Sequence, residues 1–170
     1  MSISSLLLPE FEQEMASTRK LLACVPDGQY SWKPHEKSMT LGRLASHVAE
    51  LPGWAVVTLK QTKLEIAPGA QAFSAQSTAE LLDSFDRNVT DARAAIEAAK
   101  DEDYDVPWSL VFGGHVAFTM PRYSVMRSVV MNHMIHHRAQ LGTYLRTLEI
   151  AIPGMYGPSE DDKRAMARPA

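Results

Sequence analysis

The chain has 170 residues, 45% of them hydrophobic and 22% charged, with a formal net charge of −3. That is enough for one domain with a real core and has the balance of a soluble globular protein. The 17 basic residues are scattered among 20 acidic ones, so nucleic-acid binding has no electrostatic footprint; no apolar run approaches the roughly 18 residues of a membrane span.

Met1 to Leu8 lacks a basic segment and a small-residue cleavage site, so no signal peptide is expected and the expected address is cytoplasmic. The single cysteine, Cys24, excludes an internal disulfide and a cysteine-based zinc cage. It lies near the end of a helical apolar pattern and reads as a small buried hydrophobe, a poor nucleophile.

The first helical pattern spans 5–25, with Leu8, Phe11, Met15, Thr18, Leu22 and Val25 on one face. Pro26, Asp27 and Gly28 end it. The second spans 40–63, starts at a possible N-cap, Thr40, and carries Leu44, His47, Val48, Leu51, Ala55 and Leu59. Pro52 should kink it or begin a new turn. The third, 77–100, opens on a capping box, Ser77-Thr78-Ala79-Glu80, and continues through Leu82, Phe85, Val89, Ala92, Ile96 and Ala99. Two β-prone runs, Trp108 to Phe112 and His115 to Phe118, flank Gly113-Gly114, a small hairpin signal. The fourth helix, 121–148, starts with Pro121, a residue favoured in a first turn. Residues 153–158 cannot be helical and should wrap back over the helices. Residues 160–170 read as a charged, frayed tail. The expected fold is all-α, a single four-helix bundle over 1–170 with a hairpin between helices three and four. Long connections near 26–39 and 64–76 mean that the helices need not be sequential hairpins.

The fourth stripe reads Met126, Val130, His133, His137, Leu141, Tyr144, Leu148. Two imidazoles stand where apolar residues belong, and unpaired polar groups there cost on the order of 1–3 kcal/mol each. At i and i+4 they lie on one face and can converge on one ion. His47, three residues after Leu44 and four before Leu51, also faces the apolar side. Three such histidines make a plausible facial site for a divalent metal, with a position open to water or substrate. Zinc and nickel come first; iron and cobalt are alternatives. The zincin motif is absent, since Met134 stands where its glutamate belongs. A second reading stays open on spacing alone: histidines hydrogen-bonded in the core.

Around this trio, His136 is rotated about 60° from His133 and reads as a flank. Gln140 can reach the cavity rim. Arg138 points to the far side, as a salt-bridge or packing residue. His35 and His115 read as solvated loop histidines. Trp54 and Tyr144 are core aromatics or the walls of a substrate pocket, which His136 and Gln140 would complete.

Three stretches carry a resemblance: Ser38-Met39-Thr40-Leu41-Gly42-Arg43-Leu44-Ala45-Ser46-His47, His133-Met134-Ile135-His136-His137-Arg138-Ala139-Gln140-Leu141, and Pro153-Gly154-Met155-Tyr156-Gly157-Pro158-Ser159. Over about residues 5–162 the chain resembles the DinB/YfiT-like family of metalloenzymes. The resemblance implies an up-down-down-up four-helix bundle, often a homodimer, with metal ligands at His47, His133 and His137. Known relatives include metal-dependent transferases and isomerases that use low-molecular-weight thiols such as bacillithiol or mycothiol. Many members have no known reaction. The function expected is therefore transfer of a small thiol to an electrophile at a divalent ion, which deprotonates a coordinating thiol. Metal-dependent hydrolysis is one alternative. A non-catalytic metal-binding stress-response protein is another, and its ion would be closed off by a fourth protein ligand.

Overall fold

The computed structural model describes residues 1–167. Helix α1 (Ile3–Leu22) begins where the Ser2 hydroxyl accepts from the Ser5 N–H, and it buries Leu7, Phe11, Met15, Thr18 and Leu22. Phe11, Met15, Thr18 and Leu22 are the stripe expected from spacing, but Leu7 rather than the half-buried Leu8 leads it, and the helix stops three residues sooner than 25.

Helix α2 (Leu41–Glu50) is capped by Thr40, whose side chain accepts from the Arg43 N–H. Its start lies against Tyr30. A Cβ on Gly42 would come within 2.6 Å of the Tyr30 ring, so glycine permits the approach. Pro52 then acts as its missing N–H requires. A 3₁₀ turn, Leu51–Gly53, separates α2 from α3 (Trp54–Lys60), and Asn88 Nδ2 donates to the Ala49 carbonyl at 2.8 Å across the break. The helical stretch expected over 40–63 is thus broken at Pro52, as expected, into two helices in series.

Lys63, expected to end that helix, instead opens strand β1 (Lys63–Ile66), which continues into the expected connection. Beyond α4 (Thr78–Ala98) and the single turn α5 (Asp101–Tyr104) come β2 (Pro107–Phe112) and β3 (His115–Pro121). β2 and β3 form the expected hairpin, with Gly113 and Gly114 at φ of 53° and 82°, the positive angles a tight turn demands. β1 adds to β2 in parallel, pairing Lys63 with Ser109 and Ile66 with Phe112. The fold is therefore mostly helical with a small three-stranded sheet, which corrects the all-α expectation. The α4 capping box is also modified. Ser77 accepts from the Glu80 N–H, but the Glu80 carboxylate accepts from Gln76 rather than from Ser77.

The last long rod joins α6 (Arg122–Val125), a π-helical stretch (Met126–Asn132) and α7 (His133–Thr147). Residues 153–158 wrap back as expected. The Tyr156 hydroxyl meets Glu14 of α1 and Arg138 of α7. The tail is not frayed over 160–166. Ser159 and Asp162 form a capping box that starts α8 (Glu160–Met166); the rest of that expectation, residues 168–170, lies outside the described residues.

Helix α1 packs on α4 and α7, and α2 packs on the same two. Leu7, Phe11, Leu44, Phe85, Ile96, Met134 and Leu141 share the core between them, while Trp108, Leu110 and Val125 form a smaller cluster beside the sheet. One polar pair crosses this interior. Arg138 and Glu14 lie 2.7 Å apart with side chains 2% and 6% exposed, the packing role expected of Arg138. Among the described residues no helix is long and apolar enough to cross a membrane.

Candidate metal centre

Helix α2 carries His47, and α7 carries His133 and His137 one turn apart, on the faces where these helices pack together. Their Nε2 atoms converge. His133 Nε2 lies 2.9 Å from His137 Nε2 and 3.4 Å from His47 Nε2. One ligand atom from each of the three lies within 4.8 Å of the others. Nitrogens bound to one ion at about 2.0–2.1 Å in a tetrahedron stand about 3.3–3.4 Å apart, so the donor set fits a single small divalent cation. Three ring nitrogens facing one another without an ion have too few hydrogens in the neutral tautomers below to satisfy each other.

The Nδ1 atoms fix those tautomers. His137 Nδ1 donates to Gln140 Oε1 at 2.7 Å. His133 Nδ1 lies 3.2 Å from the Val129 carbonyl, which can only accept. Both rings therefore turn an unprotonated Nε2 towards the cluster. His47 Nδ1 is buried without a hydrogen-bond partner, and a carboxylate oxygen, Glu50 Oε2, lies 3.5 Å away.

Burial, reinforced by the charges that His137 and His47 would carry, lowers the His133 pKa to about 4. Burial also lowers that of His137, against the opposing effect of its hydrogen bond to Gln140 Oε1. Both rings are thus held neutral near pH 7, the state that ligates a metal.

Trp54 stands beside the trio, its ring 6.0 Å from that of His133 and 6.5 Å from that of His47. Tyr144 does not meet the histidines through its ring contacts; it packs edge-on against Trp32 at 5.6 Å and donates to the Met39 carbonyl. His136 is exposed, with its ring 4.9 Å from that of His137. Gln140 is also exposed, and its amide holds His137. His35 is an exposed loop residue, whereas His115 is exposed but opens β3 rather than lying in a loop. Cys24 is half-buried rather than packed in a helical seam, because α1 ends at Leu22 and releases it. It lines a surface groove of about 760 Å³ with Ile152 and Pro153, and burial raises its thiol pKa.

Residues 1–167 match the DinB family. This chain belongs to that family. The uncharacterized protein YrdA of Bacillus subtilis (strain 168) is 26% identical over 158 residues, 91% of this chain and 89% of its own. The fold is similar to that of a DinB-like protein from Bacillus cereus ATCC 10987, with a TM-score of 0.69 at 23% identity, covering 91% of this chain and 98% of that one. A DinB-like protein from Bacillus subtilis gives 0.67 at 18% identity, covering 88% and 96%.

Two residues at this DinB site escaped the sequence reading. Glu50 backs His47, and Val129 contributes a backbone carbonyl. Glu50 had a visible signal, since Arg43, His47 and Glu50 follow one helix face at i, i+4 and i+7. Val129 had none, because its part is played by the main chain.

Proposed function

We propose that the protein is a metal-dependent enzyme whose divalent ion is held by His47, His133 and His137, and that it transfers a small thiol to a small electrophile. The convergence of three imidazoles from two helices, through the Nε2 contacts of His133 with His47 and His137, carries the reading. When bound, zinc or nickel on three neutral imidazoles supplies Lewis-acid activation of a thiol, because neutral ligands leave the full dipositive charge on the ion.

The chain's own residues supply the rest. Gln140 and the Val129 carbonyl orient two ligand rings. Trp54 offers an apolar wall beside the centre. Cys24 is not assigned as nucleophile; it lines a groove between α1 and residues 151–165, and its raised pKa keeps it protonated. The cluster of the described residues stops at three, which favours a centre with room for substrate over a closed structural one. In the same reading the four long rods form the up-down-down-up bundle of the family, with Tyr144, His136 and Gln140 around the substrate approach, in a cytoplasmic homodimer that binds no nucleic acid.

Cobalt-substituted protein titrated with a panel of small thiols tests the mechanism. Thiols that coordinate should produce a new near-ultraviolet absorption. A spectrum untouched by every thiol, with cobalt bound, would move metal-dependent hydrolysis ahead.

A further inference from the structure

The three ligand rings are not backed alike. Behind His137 stands a neutral amide and behind His133 a neutral carbonyl. Behind His47 stands a carboxylate. Glu50 lies one turn on along α2, its Oε2 3.5 Å from a His47 Nδ1 that is buried and makes no hydrogen bond. The carboxylate is not free to wander. Its Oε1 accepts from the Phe73 N–H at 2.8 Å, and its Oε2 accepts from Arg43 Nη1 at 3.3 Å. A buried N–H without an acceptor is costly, and the one charged acceptor near it is held in place by two other donors.

We propose that Glu50 is a positioning residue of the metal centre, acting through His47: its carboxylate holds that ring in the Nδ1–H tautomer and lends negative charge to an otherwise neutral ligand set. The proposal rests on the metal-site reading above. A carboxylate behind a ligand histidine raises the basicity of the nitrogen facing the ion. Arg43 tempers the effect by sharing the same oxygen. Gln140 serves His137 in the same way without charge, so the centre carries one charged support and two neutral ones.

The rival role for Glu50 is purely structural, as the anchor of the loop at Phe73. Glu50→Gln separates the two, because the amide removes the charge while keeping the shape. Two quantities are read: cobalt(II) affinity by competition with a chelator, and the ring ¹⁵N shifts of His47 in metal-free protein. The expected result is affinity weakened roughly 10–100-fold, the usual range for such outer partners, with the ring shifting from Nδ1–H towards Nε2–H. Unchanged affinity and unchanged ¹⁵N shifts, with a lowered melting temperature alone, would overturn the proposal. Should Glu50→Gln not fold, Gln140→Glu carries the test from an exposed position. A carboxylate behind His137 should tighten cobalt binding, and no tightening would overturn the proposal. If the wild-type protein takes up no cobalt, the metal-site reading itself has failed, a result distinct from a wild type and variant that bind equally well.

Discussion

Nδ1 of His133 lies 3.2 Å from the carbonyl oxygen of Val129, one turn earlier in the same rod. In a regular α-helix that carbonyl takes the backbone N–H of residue 133. Here the His133 N–H points to Val130 instead, at the end of the π-helical stretch. π-Helical turns are uncommon and recur at functional sites, and this one ends at the first histidine of α7.

The burial that accompanies this contact gives a pH dependence. His133 titrates at about 4 in the folded protein against an ordinary 6.5. Between those values the unfolded chain holds a proton that the folded chain refuses, so folded stability rises with pH. Metal-free protein should therefore lose stability as pH falls from 6.5 towards 4, with no contribution from this group above 6.5 and no further loss from it below 4. His137 shifts in the same direction. Asp27, Asp161 and Asp162, all held below their ordinary 3.8 by hydrogen bonds, act only at lower pH. Urea midpoints of chelator-treated protein between pH 7 and 4.5 check this, and His133→Gln should flatten part of the slope.

Arg138 gives a stability prediction independent of any metal. Its guanidinium meets Glu14 and Thr18 in the interior and the Tyr156 hydroxyl at its edge. Arg138→Ala should cost about 3–5 kcal/mol, because it leaves the Glu14 carboxylate buried and uncompensated. The double variant Glu14→Leu, Arg138→Met should recover much of that loss. Equal destabilisation of single and double variants would mean that packing, not charge, explains the site.

The modified cap of α4 separates two side chains that a sequence motif treats as one unit. Ser77→Ala removes the acceptor for the Glu80 N–H and should cost about 1 kcal/mol. Glu80→Gln keeps an acceptor for the Gln76 N–H and should cost less. Chemical denaturation of both variants distinguishes them.

The pattern of what could be read ahead follows from the range of each interaction. His47, His133 and His137 stood out because their helical stripes left them where Leu or Val belongs, a local signal. The Gly113-Gly114 turn was legible for the same reason. β1 was not, since Lys63–Ile66 becomes a strand through its partner Ser109 to Phe112, more than forty residues away. α8 was missed because its charged sequence looks like a solvated tail unless the Ser159 and Asp162 cap is weighed. The π-helical stretch leaves the 3-and-4 spacing nearly intact, so the stripe through Met126 and Val130 survives it.

In the proposed function, His47, His133 and His137 together hold one divalent ion. Elemental analysis of protein purified without chelator or nickel affinity, with the His137→Ala variant beside it, tests this most directly. The wild type should carry about one zinc or nickel equivalent per chain and the variant far less, because two histidines bind an ion poorly. Wild-type protein that contains no metal and takes up none on titration, or a variant that keeps a full equivalent, would contradict it.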